Sequence, residues 1–127
     1  MANLPRAEVA VLSLVHPASG RVLAEALEEP RSFFGRGLGL MFRSRLEPGR
    51  GMLIEPCSGI HMFFMRFPID ALFLDRRDRV RKVYRRLPAW YGMVPIVIGA
   101  RKVIELPPGT LDGLELPRGE QLKLQFA

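Results

Sequence analysis

Cys57, His61 and Asp70 fall within one stretch of this chain and carry the residue types of a thiol relay, in which a histidine deprotonates a cysteine and a carboxylate orients the imidazole. Their spacing opposes the simplest version. Four residues of extended strand separate Cys57 from His61 by ~13 Å, well beyond hydrogen-bond reach, so only a bend at Ser58-Gly59 would bring them together. A lone cysteine beside glycine and proline is more often a small buried residue than a nucleophile. No catalytic residue is assigned. A hydrolase or transferase using Cys57, His61 or Asp70 stands as an alternative to the main reading.

Metal chemistry is poorly supplied. The chain has one cysteine and two histidines, His16 and His61, short of the usual four-ligand zinc set. A three-ligand site from His61, Asp70 and Glu105 is the remaining variant, and no metal or cofactor is expected. Gly35-Arg36-Gly37-Leu38-Gly39 has the glycine content of a phosphate-cradling loop, but Pro30 to Ser32 precede it where a dinucleotide fingerprint needs a strand. Close packing and a helix break explain these glycines better.

The remaining chemistry is that of binding. Met41, Met52, Met62 and Met65, with Phe42, Phe63, Phe64, Phe67 and Phe73, are mostly core material, although thioethers and rings can also line an adaptable groove. Arg43, His61, Asp70 and Glu105 are the polar groups expected at the edge of that core, and they are the candidate ligand contacts. Their structural alternative is an ion pair, or carboxylates that accept turn amides, because a buried charge is costly without partners. The net charge of +6 is local: Arg76, Arg77, Arg79, Arg81, Lys82, Arg85 and Arg86 stand against Asp78, while the other 12 basic and 12 acidic residues balance. Such a strip suits nucleic acid, an acidic partner or an anionic surface, and equally a solvated hairpin.

The elements that must position these groups are short strands. Val9 to Val15, the turn Pro17 to Gly20 and Arg21 to Glu28 read as an opening hairpin. A short helix is expected after Pro30, with Ser32 as its cap. Met52 to Glu55, Ile60 to Arg66, Ile69 to Leu74, Val80 to Leu87, Val97 to Leu106 and Gln121 to Phe126 read as strands, with a turn at Asp75 to Asp78 and a loop around Trp90 and Tyr91. In the last strand, Leu122, Leu124 and Phe126 form the buried side. This pattern predicts a mainly β fold, a compact sandwich-like or partly open barrel with one or two short helical turns, in a single domain spanning 1–127.

Gly39-Leu40-Met41-Phe42-Arg43, Gly51-Met52-Leu53, Ile60 to Met65, Pro68-Ile69-Asp70 and Phe73-Leu74-Asp75 are followed by Val103 to Pro107, Gly109 and Gly119-Glu120. In this order the blocks resemble domain-of-unknown-function family 192, also called uncharacterised protein family 127, from about Val9 to the C-terminus. Glu120 stands where that family usually has aspartate. The resemblance implies a mainly β domain and supplies no activity, cofactor or catalytic residue. Some relatives are exported, but the apolar run after Arg6 is too short for a leader and reads as a strand.

With a single cysteine and no apolar stretch of ~20 residues, the expectation is a cytoplasmic protein without integral membrane association. The leading functional expectation is a noncatalytic binding module for a small molecule, peptide or protein segment. Nucleic-acid or acidic-partner binding through 76–86 is the second alternative. Oligomeric state is left open.

Overall fold

The computed structural model describes residues 9–30, 45–62 and 65–126. Their strands are β1 (Val9–His16), β2 (Arg21–Pro30), β3 (Arg50–Ile54), β4 (Ile60–His61), β5 (Ile69–Leu74), β6 (Val80–Leu87), β7 (Met93–Val94), β8 (Lys102–Leu106) and β9 (Lys123–Phe126). The opening hairpin forms as the sequence predicts, with Gly20 at φ +75° closing its turn. Seven strands make one sheet in the order β6-β5-β8-β3-β2-β1-β9, and β4 and β7 make a separate pair. β2 and β3 run parallel; the other neighbours are antiparallel.

The sheet curls until its two edges meet at one end. Arg79 bridges Gln121, the Val80 amide donates to the Glu120 carbonyl at 2.8 Å, and the Gly119 amide donates back to Val80 at 2.7 Å. The architecture is therefore the partly open barrel of the two expected forms.

Both faces of the central strands are buried, which explains why β5 and β8 read as continuous apolar runs. Leu72 and Leu74 of β5 join Leu53, Ile104, Leu106, Leu14 and Leu27 inside the curl. Ile69, Ala71 and Phe73 join Met52, Val103, Met62 and Met65 on the other face, beneath the β4–β7 pair.

Three expectations are corrected. The strand predicted over Ile60 to Arg66 is a two-residue ladder, because the Met65 amide bonds back to the Met62 carbonyl at 3.1 Å. That turn sends Met62 and Met65 into the same apolar layer, where an extended strand would have parted them. The strand predicted over Val97 to Leu106 begins only at Lys102, since Gly99 at φ +83° and the Ala100-to-Val97 bond of 3.0 Å turn the preceding segment. Phe126, placed on the buried side of the last strand, is 79% exposed, because β9 leaves the core as it runs outward from Leu122. The helix expected after Pro30 falls outside the described residues.

Candidate functional site

Asp70 and Glu105 lie on adjacent strands yet on opposite faces of the sheet. Asp70 pairs in register with Leu106, whereas Glu105 stands opposite Ala71 and Met52. Successive strand residues point to opposite sides. Asp70 therefore shares the inner face with Leu72 and Leu74, and Glu105 shares the outer layer with Val103. Arg43 and the side chain of His61 lie outside the described residues.

Asp70 is wholly buried, and both its oxygens are occupied by the backbone: the Arg86 amide donates to Oδ1 and the Leu111 amide to Oδ2, each at 2.9 Å. The carboxylate thus joins the end of β6 to the turns at 107–114. It accepts amides, as the structural alternative for these carboxylates had it.

Cys57 is half-buried beside the outer layer, and its thiol donates to the Gly59 carbonyl at 3.1 Å. Burial pushes the thiol pKa up and the charge of Glu105 adds to this, although the Gly59 contact acts the other way. A nucleophile needs the opposite shift. The segment Pro56 to Gly59 borders an open cleft of about 580 Å³ with Pro95, Ala100 and Arg101. Among the described residues no group of three His, Cys, Asp or Glu side chains converges in the manner of a metal site.

A polar constellation that the sequence reading missed links His16 to both neighbours. Its Nδ1 is 2.7 Å from Ser19 Oγ and its Nε2 is 2.8 Å from Glu120 Oε2. The residue types are those of a hydrolytic relay. The hydroxyl, however, belongs to the β1–β2 turn and accepts the Arg21 amide at 3.2 Å. His16 is buried, and the arrangement ties that turn to the one at 117–120. Separations of more than a hundred residues between His16 and Glu120 gave the sequence no local signal.

The basic run divides sharply once folded. Arg85 donates to the carbonyls of Leu111 and Leu114 at 3.3 and 2.6 Å. Arg86 forms a two-pronged bond with Asp112 at 2.8 and 2.6 Å, which raises its own pKa and lowers that of Asp112. Lys82 lies 5.7 Å above the Tyr84 ring. Asp78 is held by Lys102.

The other four arginines gather at the opposite end of the hairpin. Arg76, Arg77, Arg79 and Arg81, with Arg101, Gly99, Ala100 and Asp75, line an open cleft of about 540 Å³. Asp75 fixes its rim by accepting the amides of Arg77 and Arg79 at 2.8 and 2.9 Å, and Arg79 Nε approaches its other oxygen at 3.2 Å. Burial alone would raise the Asp75 pKa, but these amides and the guanidinium outweigh it and hold the carboxyl below the ordinary range. Arg81 donates to the Ile98 carbonyl at 3.1 Å and lies over Gly99, where a β-carbon would meet its Nε at 2.8 Å. Ala100 and Arg101 belong to both clefts, so the basic cleft adjoins the one beside Cys57.

The family model DUF192, described as Uncharacterized ACR, matches residues 15–124. A UPF0127 protein of Thermococcus sibiricus is 31% identical over 113 residues, covering 86% of this chain and 72% of that protein. One from Pyrococcus horikoshii is 36% identical over 98 residues, covering 72% and 81%. The crystal structure of a protein of unknown function from Novosphingobium aromaticivorans superposes with a TM-score of 0.72 at 21% identity, covering 91% of this chain and 84% of that one. At that identity the likeness is one of fold. No helix among the described residues is long and apolar enough to cross a membrane.

Proposed function

Since the chain belongs to the uncharacterised DUF192 family, we propose that it is a noncatalytic binding module whose binding surface is the arginine-lined cleft at the β5–β6 turn, and whose ligand presents phosphate or carboxylate groups. One observation carries this reading: five guanidinium groups and a single carboxylate border one open cleft. Planar guanidinium forks match the oxygens of phosphate and carboxylate, and clustered charge of one sign draws such ligands in. Arg76 and Arg77 have no ion pair among the described residues, which leaves both available to a ligand. An apolar cleft organised by Asp70 and Glu105 is less well supported, because the two carboxylates face opposite layers.

Titration calorimetry of the full chain with inorganic polyphosphate, repeated at rising salt, tests the proposal. Binding at low ionic strength should weaken as salt screens the charges. R76A/R77A should weaken it strongly, whereas R85A, whose guanidinium is engaged by carbonyls, should change it little. Undetectable binding at low ionic strength would overturn the reading.

A further inference from the structure

We infer that the same face docks on an anionic lipid surface, with the loop between β6 and β8 supplying the apolar part of the footprint; this rests on the arginine-cleft reading above. Among the described residues, five of the seven large hydrophobic side chains left exposed, Trp90, Tyr91, Met93, Ile96 and Ile98, fall in this segment, Met93 on the short strand β7 within it. Scattered exposed hydrophobics need no explanation, but a cluster on one loop does. The exposure does not come from a slack segment. The Val97 amide donates to the Ser58 carbonyl at 2.7 Å, the Ala100 amide to Val97 at 3.0 Å, and the backbones at Gly59 and Pro95 approach too closely to admit a β-carbon.

The apolar loop runs directly into the basic cleft. Arg81 holds the carbonyl of Ile98, and the next three residues, Gly99 to Arg101, line the cleft itself. From Pro88 to Ile104 the sequence contains no acidic residue.

This pairing selects the partner. Nucleic acid would satisfy the arginines but offers no apolar phase for two isoleucines. The apolar cleft of about 250 Å³ in this segment, lined by Gly59, Ile60, Met93, Val94 and Pro95, would suit a peptide, but it does not include Tyr91, Ile96 and Ile98, which stand out from the surface at 89%, 71% and 82% exposure. A bilayer accepts projecting side chains at its headgroup boundary, where tryptophan and tyrosine are favoured, and its phosphates meet guanidinium groups above. Apolar insertion and a basic patch together give attachment that neither gives alone.

The test uses the full chain with phosphatidylcholine vesicles, with or without phosphatidylserine, followed by co-sedimentation and by the emission of Trp90, the chain's single tryptophan. Binding and a blue shift are expected only with phosphatidylserine present, and both should be lost at high salt. I96S/I98S replaces exposed side chains and leaves the core intact. It should weaken vesicle binding by on the order of tenfold or more while polyphosphate binding persists. R76A/R77A should weaken both, by about fivefold per arginine at the vesicle. Polyphosphate binding without vesicle binding overturns the inference and leaves the cleft reading standing; loss of both overturns the two together. Vesicle binding indifferent to I96S/I98S overturns it, as does binding of polyglutamate that depends on those isoleucines in the absence of vesicle binding.

Discussion

Asp70 is a carboxylate in the apolar interior whose two oxygens each receive one backbone amide, from Arg86 and from Leu111. An asparagine there would turn an amide donor toward one of those N–H groups. D70N should therefore cost about 2–4 kcal/mol in urea denaturation, since hydrogen bonds to a buried charge are worth more than neutral ones and an unsatisfied donor adds its own penalty. Polyphosphate binding by the folded fraction should be unchanged, and loss of binding without loss of stability would refute the structural role. Asp75 makes a different prediction, in pH. Its folded pKa lies below the ordinary aspartate value, so its contribution is complete above roughly pH 5 and disappears as pH falls through the lowered folded value. D75N should be less stable than the parent chain at neutral pH, and the gap should narrow as pH falls through the lowered folded value. A gap that persists unchanged in acid would show that the charge is not what matters.

The two-stranded cover of β4 and β7 depends on a backbone contact at Gly59. A β-carbon there would come within 2.1 Å of the Pro95 carbonyl oxygen, so G59A must push the 56–59 segment off the cover. Overpacking of this kind should cost about 2–3 kcal/mol. It should also open the site locally, and Cys57, the only cysteine, reports on that through its rate of labelling by a thiol reagent. Labelling of G59A should be faster than that of the parent under native conditions; an equal rate would mean that the cover moves without Gly59. This element also marks where the sequence could be read and where it could not. β1, β2, β3, β5 and β6 follow from their apolar runs and turn residues, and Pro68 stops just before β5 as its missing amide requires. Ile60 to Met65 did not follow, because the run is apolar on both sides of an extended strand, so its pattern carries no sign of the bond from the Met65 amide to the Met62 carbonyl. The basic hairpin was legible as a charge, but its division was not: Arg85 and Arg86 are drawn to the turns at 107–114, far along the chain, leaving Arg76, Arg77, Arg79 and Arg81 to the cleft.

At the scale of the whole molecule, the sheet has two edges, β6 and β9, and the contacts that bring them together pass through the turn at 117–120. Gly119 and Glu120 exchange backbone bonds with Val80, and the side chain of Glu120 reaches across to buried His16 at the end of β1. Three distant segments therefore meet at one residue: the β1–β2 turn, the start of β6 and the approach to β9. Glu120 is one methylene longer than aspartate, and its Oε2 reaches His16 Nε2 at 2.8 Å. E120D should shorten that reach and weaken the bond, while H16A removes it altogether and leaves the partly buried carboxylate to water. H16A should cost about 1–3 kcal/mol in urea denaturation, with E120D between it and the parent. Hydrogen exchange locates the effect: the amides of Val80, Gly119 and Leu122 should lose protection first, because they close the curl, while those of β5 and β8 at the centre of the sheet keep theirs. Uniform loss of protection across all strands would mean that His16 stabilises the fold globally and that closure of the curl is not a separate step. Loss confined to the β1–β2 turn would mean that the bond to Glu120 carries no coupling between the edges.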